Sequence, residues 1–124
     1  VKDYYDRAYA AGVTPNPCVE CNRYVKWEKL VDYARDALGC EFLATGHYVN
    51  VDRPLYAERG LEAPLRVLRA VDPTKDQTYM LARVYAKDLR RALFPLGMWT
   101  KKDVVAYAVE AGIATAHSKE SMDV

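Results

Sequence analysis

The sequence predicts an α/β fold built on a parallel sheet, and three observations point to it. Tyr24, Trp27, Val31, Ala34 and Leu38 recur at 3-4-3-4 spacing, with Glu28, Asp32, Arg35 and Asp36 on the other side, which marks one apolar face of a helix. Gly39 then closes that helix. Glu41-Phe42-Leu43-Ala44-Thr45 reads as a short buried strand that stops at Gly46-His47. Helix, tight glycine, buried strand and glycine together are the rhythm of a parallel α/β sheet.

The other elements follow in chain order. Lys2 to Ala11 reads as a helix that ends at Gly12. Pro15 and Pro17 each push the preceding residue into an extended conformation, so Thr14 to Pro17 reads as a stiff, non-helical loop. That loop delivers Cys18 to the main helix, for which Asn22 is the N-cap candidate. Tyr48 to Val51 and Leu65 to Val71 read as an extended pair around a polar, mobile middle containing Pro54, Gly60 and Pro64. Asp72-Pro73-Thr74-Lys75-Asp76 is turn chemistry. Gln77 to Val84 and Ala86 to Leu93 read as short helices stopped by Pro95. Thr100-Lys101-Lys102-Asp103 is a capping-box variant opening a helix over Val104, Val105, Ala108 and Ala111, closed by Gly112. The α/β rhythm ends near residue 47 and a more helical region begins near 75, which divides the chain into pieces of two domains, 1–71 and 72–124.

At 124 residues and 51% hydrophobic, the chain can bury a real core. It has no run of about 18 apolar residues, so no membrane-spanning helix is expected. A net charge of +1 leaves nucleic-acid binding open, because local clustering matters more than the total. An odd count of three cysteines does not make a disulfide framework and fits a reducing, cytoplasmic setting. The start at Val1, within an apparent helix, and the stop at Ser121-Met122-Asp123-Val124 read as a fragment of a longer protein.

Cys18 and Cys21 carry the strongest chemical signal. A Cys-x-x-Cys pair at a loop-to-helix junction puts two sulfurs near a helix N-terminus, whose dipole favours thiolate. A sulfur-handling or nucleophilic thiol needs one such activated cysteine. A zinc site would need four ligands, and no second pair at zinc spacing exists. A thioredoxin-like site would want a strand just before the pair, and the remaining reading is two small loop hydrophobes. Cys40 reads as a small buried packing residue. Gly46-His47 sits beyond the carboxyl end of a strand, where open parallel sheets bind ligands. Lys75, Asp76 and Gln77 follow a turn and could hold phosphate and a base edge, though Asp76 could serve simply as an N-cap. Arg83, Lys87, Arg90, Arg91, Lys101 and Lys102 outnumber Asp88 and Asp103, a basic surface of a kind that suits RNA. His117 falls in a stretch without an assignable element.

Taken in order, four segments resemble the tRNA-specific 2-thiouridylases: Thr14-Pro15-Asn16-Pro17-Cys18-Val19-Glu20-Cys21-Asn22, Ala44-Thr45-Gly46-His47-Tyr48, Asp72-Pro73-Thr74-Lys75-Asp76-Gln77-Thr78-Tyr79 and Leu93-Phe94-Pro95-Leu96-Gly97. The match runs nearly end to end, with no motif in residues 52–64. The resemblance implies a partial Rossmann-like adenine-nucleotide-binding (PP-loop) domain over 1–71, followed by the start of a helical central tRNA-binding domain over 72–124. It implies a transferase that uses ATP and Mg2+ to adenylate the wobble uridine of tRNA at C2. The C2 oxygen is then replaced by sulfur from a cysteine persulfide, supplied by a sulfur-donor protein. By motif, Cys21 is the catalytic cysteine and Gly46 contacts ATP. Asn16, Pro17 and Cys18 line the target base, His47 approaches the tRNA, and Lys75, Asp76 and Gln77 form a tRNA-contacting turn. A disulfide bond also belongs to the family chemistry.

The departures from the family pattern carry expectations too. The Ser-Gly-Gly-Val-Asp-Ser pyrophosphate loop is expected before Val1 and the persulfide cysteine after Val124, so the chain alone is expected to be inactive. Many members have Asp where Cys18 stands, so a carboxylate role cannot be transferred there. A cysteine at that position opens an alternative, a 4Fe-4S cluster held by Cys18, Cys21 and the cysteine expected after Val124.

Overall fold

The computed structural model describes residues 2–52, 65–116 and 118. Contacts divide the chain into two compact units, Val1–Thr45 with Tyr79–Leu93, and Gly46–Thr78 with Phe94–Val124.

In the first unit, α1 (Lys2–Ala10) ends as expected, with Gly12 at φ 71°. The main helix starts earlier than the prolines suggested. Asn16 is its N-cap, accepting from the Val19 amide at 3.2 Å, and Pro17 takes the first helical position. Proline suits that position because its missing N–H would have had no partner there. Pro17 is therefore helical, and Asn22, expected as the cap, lies inside the helix. The helix runs without a break through α2 (Pro17–Cys21), a π-helical segment (Asn22–Leu30) and α3 (Val31–Asp36).

The π segment explains which residues are buried. Spacing of 3-4-3-4 assumes about 3.6 residues per turn, whereas an i→i+5 ladder holds more residues per turn. Burial accordingly steps by four through Arg23, Trp27 and Val31, then by three to Ala34. Tyr24 is left 44% exposed and Leu38 61% exposed, against expectation. Trp27 has no exposed surface at all, and truncating such a residue to alanine costs about 3–5 kcal/mol. Gly39, at φ 66°, closes the helix as the sequence indicated.

The expected strand 41–45 shrinks to β1 (Leu43–Ala44), half-buried to exposed, with Phe42 44% exposed. Its partner is β4 (Ala92–Leu93), paired in parallel with Leu43 opposite Ala92 and Ala44 opposite Leu93. The anticipated helix over 86–93 is thus only α4 (Ala86–Leu89), and its last two residues return to the sheet. Apolar Ala92-Leu93 fits a strand and a helix equally well by pattern, and the partner strand decides. Cys40, expected to be buried, is exposed.

In the second unit, β2 (Val49–Val51) and β3 (Val67–Arg69) pair antiparallel, with Val49 opposite Arg69 and Val51 opposite Val67. The middle of this pair, with Pro54, Gly60 and Pro64, lies outside the described residues, as does His117. A 3-10 turn (Thr78–Leu81), which belongs to the first unit from Tyr79 on, stands where a helix from Gln77 was expected. Helix α5 (Lys101–Glu110) forms as the capping box indicated. Thr100 Oγ1 accepts from the Asp103 amide at 3.2 Å, and Gly112 follows the helix at φ 67°. No helix of the described residues is long and apolar enough to cross a membrane.

Candidate functional site

The predicted site residues fall into two groups, one in each unit. In the first unit, Asn16 caps the main helix, Pro17 opens it, and Cys18 and Cys21 lie one turn apart on the same face, both half-buried. Cys18 is in the first turn and Cys21 in the next, deeper than a loop-to-helix junction would place it. The field of a helix end falls off within that first turn, so Cys18 is the cysteine beside the free amides. Cys18, Cys21 and Cys40 are not joined in a disulfide. The disulfide bond anticipated with the family chemistry is therefore not borne out by this structure. Among the described residues, no three His, Cys, Asp or Glu side chains group so as to hold a metal ion.

The surroundings of the cysteines are polar and buried. Glu20, 4% exposed, pairs with Arg83, whose guanidinium also reaches the Tyr24 hydroxyl at 3.5 Å. Asn22 donates from Nδ2 to the Cys18 carbonyl at 2.9 Å, and its Oδ1 is buried without a partner. Arg23, 8% exposed, donates to Glu28 Oε2 at 2.9 Å, and its guanidinium lies 3.8 Å from the centre of the Tyr85 ring. Arg83 is thus committed to Glu20, although the sequence placed it in a basic surface. Sequence reasoning missed Glu20, Asn22, Arg23 and Tyr85, because polar residues beside a Cys-x-x-Cys pair look like a solvated face. The available signal was Glu20 itself, a lone acid between the two cysteines.

In the second unit, Gly46 is exposed, and a Cβ built on it would meet only Leu96 Cδ1, at 3.7 Å. His47 is buried, 7% exposed, with its ring edge-on to Phe94 at 6.1 Å between centroids. Asp76 is fully engaged: Oδ2 accepts from the Ala70 amide at 2.8 Å and the Thr78 hydroxyl at 2.9 Å, and Oδ1 from the Thr78 amide at 3.2 Å. Burial acts to raise its pKa, but these hydrogen bonds and the charge of Arg69 outweigh it and hold the carboxyl below its ordinary value. Gln77 Oε1 accepts from the Tyr48 amide at 3.1 Å, while the Gln77 amide donates to the Tyr48 carbonyl at 2.9 Å. Lys75 is half-buried, and its amide donates to the Asp72 carbonyl at 3.2 Å. Asp72 accepts from the Lys101 amide at 2.9 Å and the Thr74 hydroxyl at 2.6 Å, which tethers this turn to the start of α5. Asp76 and Gln77 hold the turn in shape through these bonds, and Lys75 stands beside them.

The parallel pairing of Leu43–Ala44 with Ala92–Leu93 in an otherwise helical unit fits the class of Rossmann-like α/β domains. The profile of the tRNA methyl transferase HUP domain matches residues 1–124, and the chain belongs to that family. It is 46% identical over 136 residues to the tRNA-specific 2-thiouridylase MnmA of Roseiflexus castenholzii, covering 100% of this chain and 36% of that protein. The protein of the same name from Chloroflexus aurantiacus is 44% identical over 124 residues, covering 100% of this chain and 33% of the relative. That from Streptococcus agalactiae is 43% identical over 127 residues, covering 97% and 32%. The chain therefore spans about a third of the length of these relatives. The resemblance read from the four motif segments is borne out.

Proposed function

We propose that this chain is part of a cytoplasmic, ATP-dependent tRNA-uridine 2-sulfurtransferase that converts the wobble uridine of tRNA to 2-thiouridine. One observation carries the reading: similarity to proteins named tRNA-specific 2-thiouridylase extends over the whole chain. In this reading the uridine is adenylated at C2, and sulfur delivered as a cysteine persulfide by a donor protein replaces the oxygen. ATP supplies the leaving group that makes the C2 oxygen displaceable. The exposed Gly46, with only Leu96 near the position of a Cβ, fits close approach of a nucleotide to the backbone. Mg2+ would be bound together with ATP in this reading.

Cys21, a free and half-buried thiol, is the catalytic cysteine of this reading. Asn16, Pro17 and Cys18 line the base, His47 approaches the tRNA, and Lys75, Asp76 and Gln77 form a contacting turn. Residues 1–71 belong to the end of the nucleotide-binding domain and 72–124 to the start of the central domain, with Ala92-Leu93 returning to the earlier sheet. The second reading is a 4Fe-4S cluster held by Cys18, Cys21 and a third cysteine.

The test is reconstitution of the full-length parent protein with ATP, Mg2+, unmodified tRNA and a persulfide donor, with nucleosides read by mass spectrometry. ATP-dependent appearance of 2-thiouridine in iron-free protein is expected. No 2-thiouridine in any condition would contradict the reading, and activity that requires iron would replace the persulfide route with the cluster.

A further inference from the structure

The stretch that carries the cysteines has no large apolar anchor. Its buried residues are Glu20, Asn22 and Arg23, all polar, whereas the apolar anchors Trp27, Val31 and Ala34 come later in the helix. Two of the three polar residues are held by one short segment between the 3-10 turn and α4. Arg83 pairs with Glu20, and Tyr85 lies against the Arg23 guanidinium. Glu28 closes the far side of Arg23.

Two contacts from residues 83–85 thus grip residues 20–23, and Cys21 sits between the gripped residues. On a helix, Glu20 cannot turn about the axis without carrying Cys21 with it, since neighbouring residues share one rigid backbone ladder. Glu20 is buried but the Arg83 side chain is half exposed, and an ion pair with one solvated partner is a poor device for stability alone. What it supplies is direction: the planar guanidinium donates from Nη1 to Glu20 Oε1 and from Nη2 to the Tyr24 hydroxyl, two partners on the same helix that fix its orientation.

We propose that the Arg83–Tyr85 segment is a clamp that fixes the rotation of the cysteine-bearing turn, with Arg83 acting as a positioning residue for Cys21. The proposal rests on the proposed function in one respect, that Cys21 is the working thiol. Arg83 touches no reacting atom, and its effect reaches the chemistry only through Glu20.

The test uses the full-length parent protein and three variants, Arg83→Met, Arg83→Lys and the double variant Glu20→Gln/Arg83→Met. Alkylation of Cys21 and Cys40 by iodoacetamide is followed residue by residue by mass spectrometry, beside steady-state thiolation of tRNA. Loss of the clamp should change the Cys21 alkylation rate by about tenfold and lower kcat by about ten- to a hundredfold, as misplacement by about 1 Å does. Cys40 alkylation, KM for tRNA and the adenylation rate should stay put, and Arg83→Lys should recover part of the loss. Arg83→Met leaves Glu20 buried and uncompensated, so it is the variant at risk of not folding. The double variant leaves no such charge and carries the test in that case. Wild-type Cys21 alkylation and kcat in a folded double variant would overturn the clamp. Thiolation that survives Cys21→Ser would overturn the proposed role of Cys21, whereas the alkylation rates need no catalysis and still decide the clamp.

Discussion

Gln77 and Tyr48 bind each other twice: the Tyr48 amide donates to Gln77 Oε1 at 3.1 Å, and the Gln77 amide donates to the Tyr48 carbonyl at 2.9 Å. The same glutamine is assigned a tRNA contact in the proposed function. The two roles separate by substitution. Gln77→Leu should cost about 1–3 kcal/mol, because it leaves the Tyr48 amide without its acceptor. Gln77→Glu keeps an acceptor at that place and should retain most of the stability. Urea denaturation measures the first effect, and tRNA affinity of the folded Gln77→Glu protein measures the second.

Gly97 and Gly46 respond oppositely to alanine. A Cβ on Gly97 would lie 2.1 Å from the Val49 carbonyl oxygen and 2.2 Å from Asn50 Oδ1, so Gly97→Ala must push β2 aside. Overpacking of this kind costs about 1–3 kcal/mol, and a lowered urea midpoint should report it. At Gly46 the nearest atom is Leu96 Cδ1 at 3.7 Å, an ordinary contact. Gly46→Ala should therefore leave stability within about 0.5 kcal/mol. If Gly46 contacts ATP as proposed, ATP affinity of the parent should fall, because the added methyl would stand where the nucleotide approaches.

Asp72 and Asp88 give opposite pH dependences. The Lys101 amide and then the Thr74 hydroxyl hold the Asp72 carboxyl below its ordinary value. Its folded pKa lies under the unfolded value of about 3.9. Asp72 thus contributes stability above about pH 4, and loses it as pH falls through the folded value. Asp72→Asn should lower the urea midpoint at pH 7, with the difference from wild type shrinking in acid. Burial, with Asp32 and Glu28 nearby, pushes Asp88 up against the pull of Lys87 and Arg23. Ionised Asp88 therefore costs stability once pH exceeds its folded value, and nothing below about 3.9. Asp88→Asn should raise the midpoint at pH 7 and lose that gain in acid.

The fold was legible where local rules decide. The helix-ending glycines Gly12, Gly39 and Gly112 all sit at positive φ, and the Thr100 cap forms as its sequence indicates. It was less legible where a rule had an exception or a distant partner. Pro17 reads as a breaker until its position as first helical residue is known. Trp27 was found and Tyr24 misplaced, because the π segment changes the period that the spacing was counted in. Ala92-Leu93 became a strand through pairing with Leu43-Ala44, about 50 residues away in the chain, which no local window contains. The site was legible as motifs and not as support. Cys18 and Cys21 stood out, while the Glu20–Arg83 pair that holds their turn joins residues with no sequence relationship.

The central claim is that Cys21 is the working thiol of a tRNA 2-sulfurtransferase, and Cys21→Ser in the full-length parent protein tests it most directly. With tRNA, ATP and a persulfide donor, ATP-dependent adenylation at close to the wild-type rate and no 2-thiouridine by nucleoside mass spectrometry are expected. 2-Thiouridine formed at the wild-type rate by Cys21→Ser would contradict it.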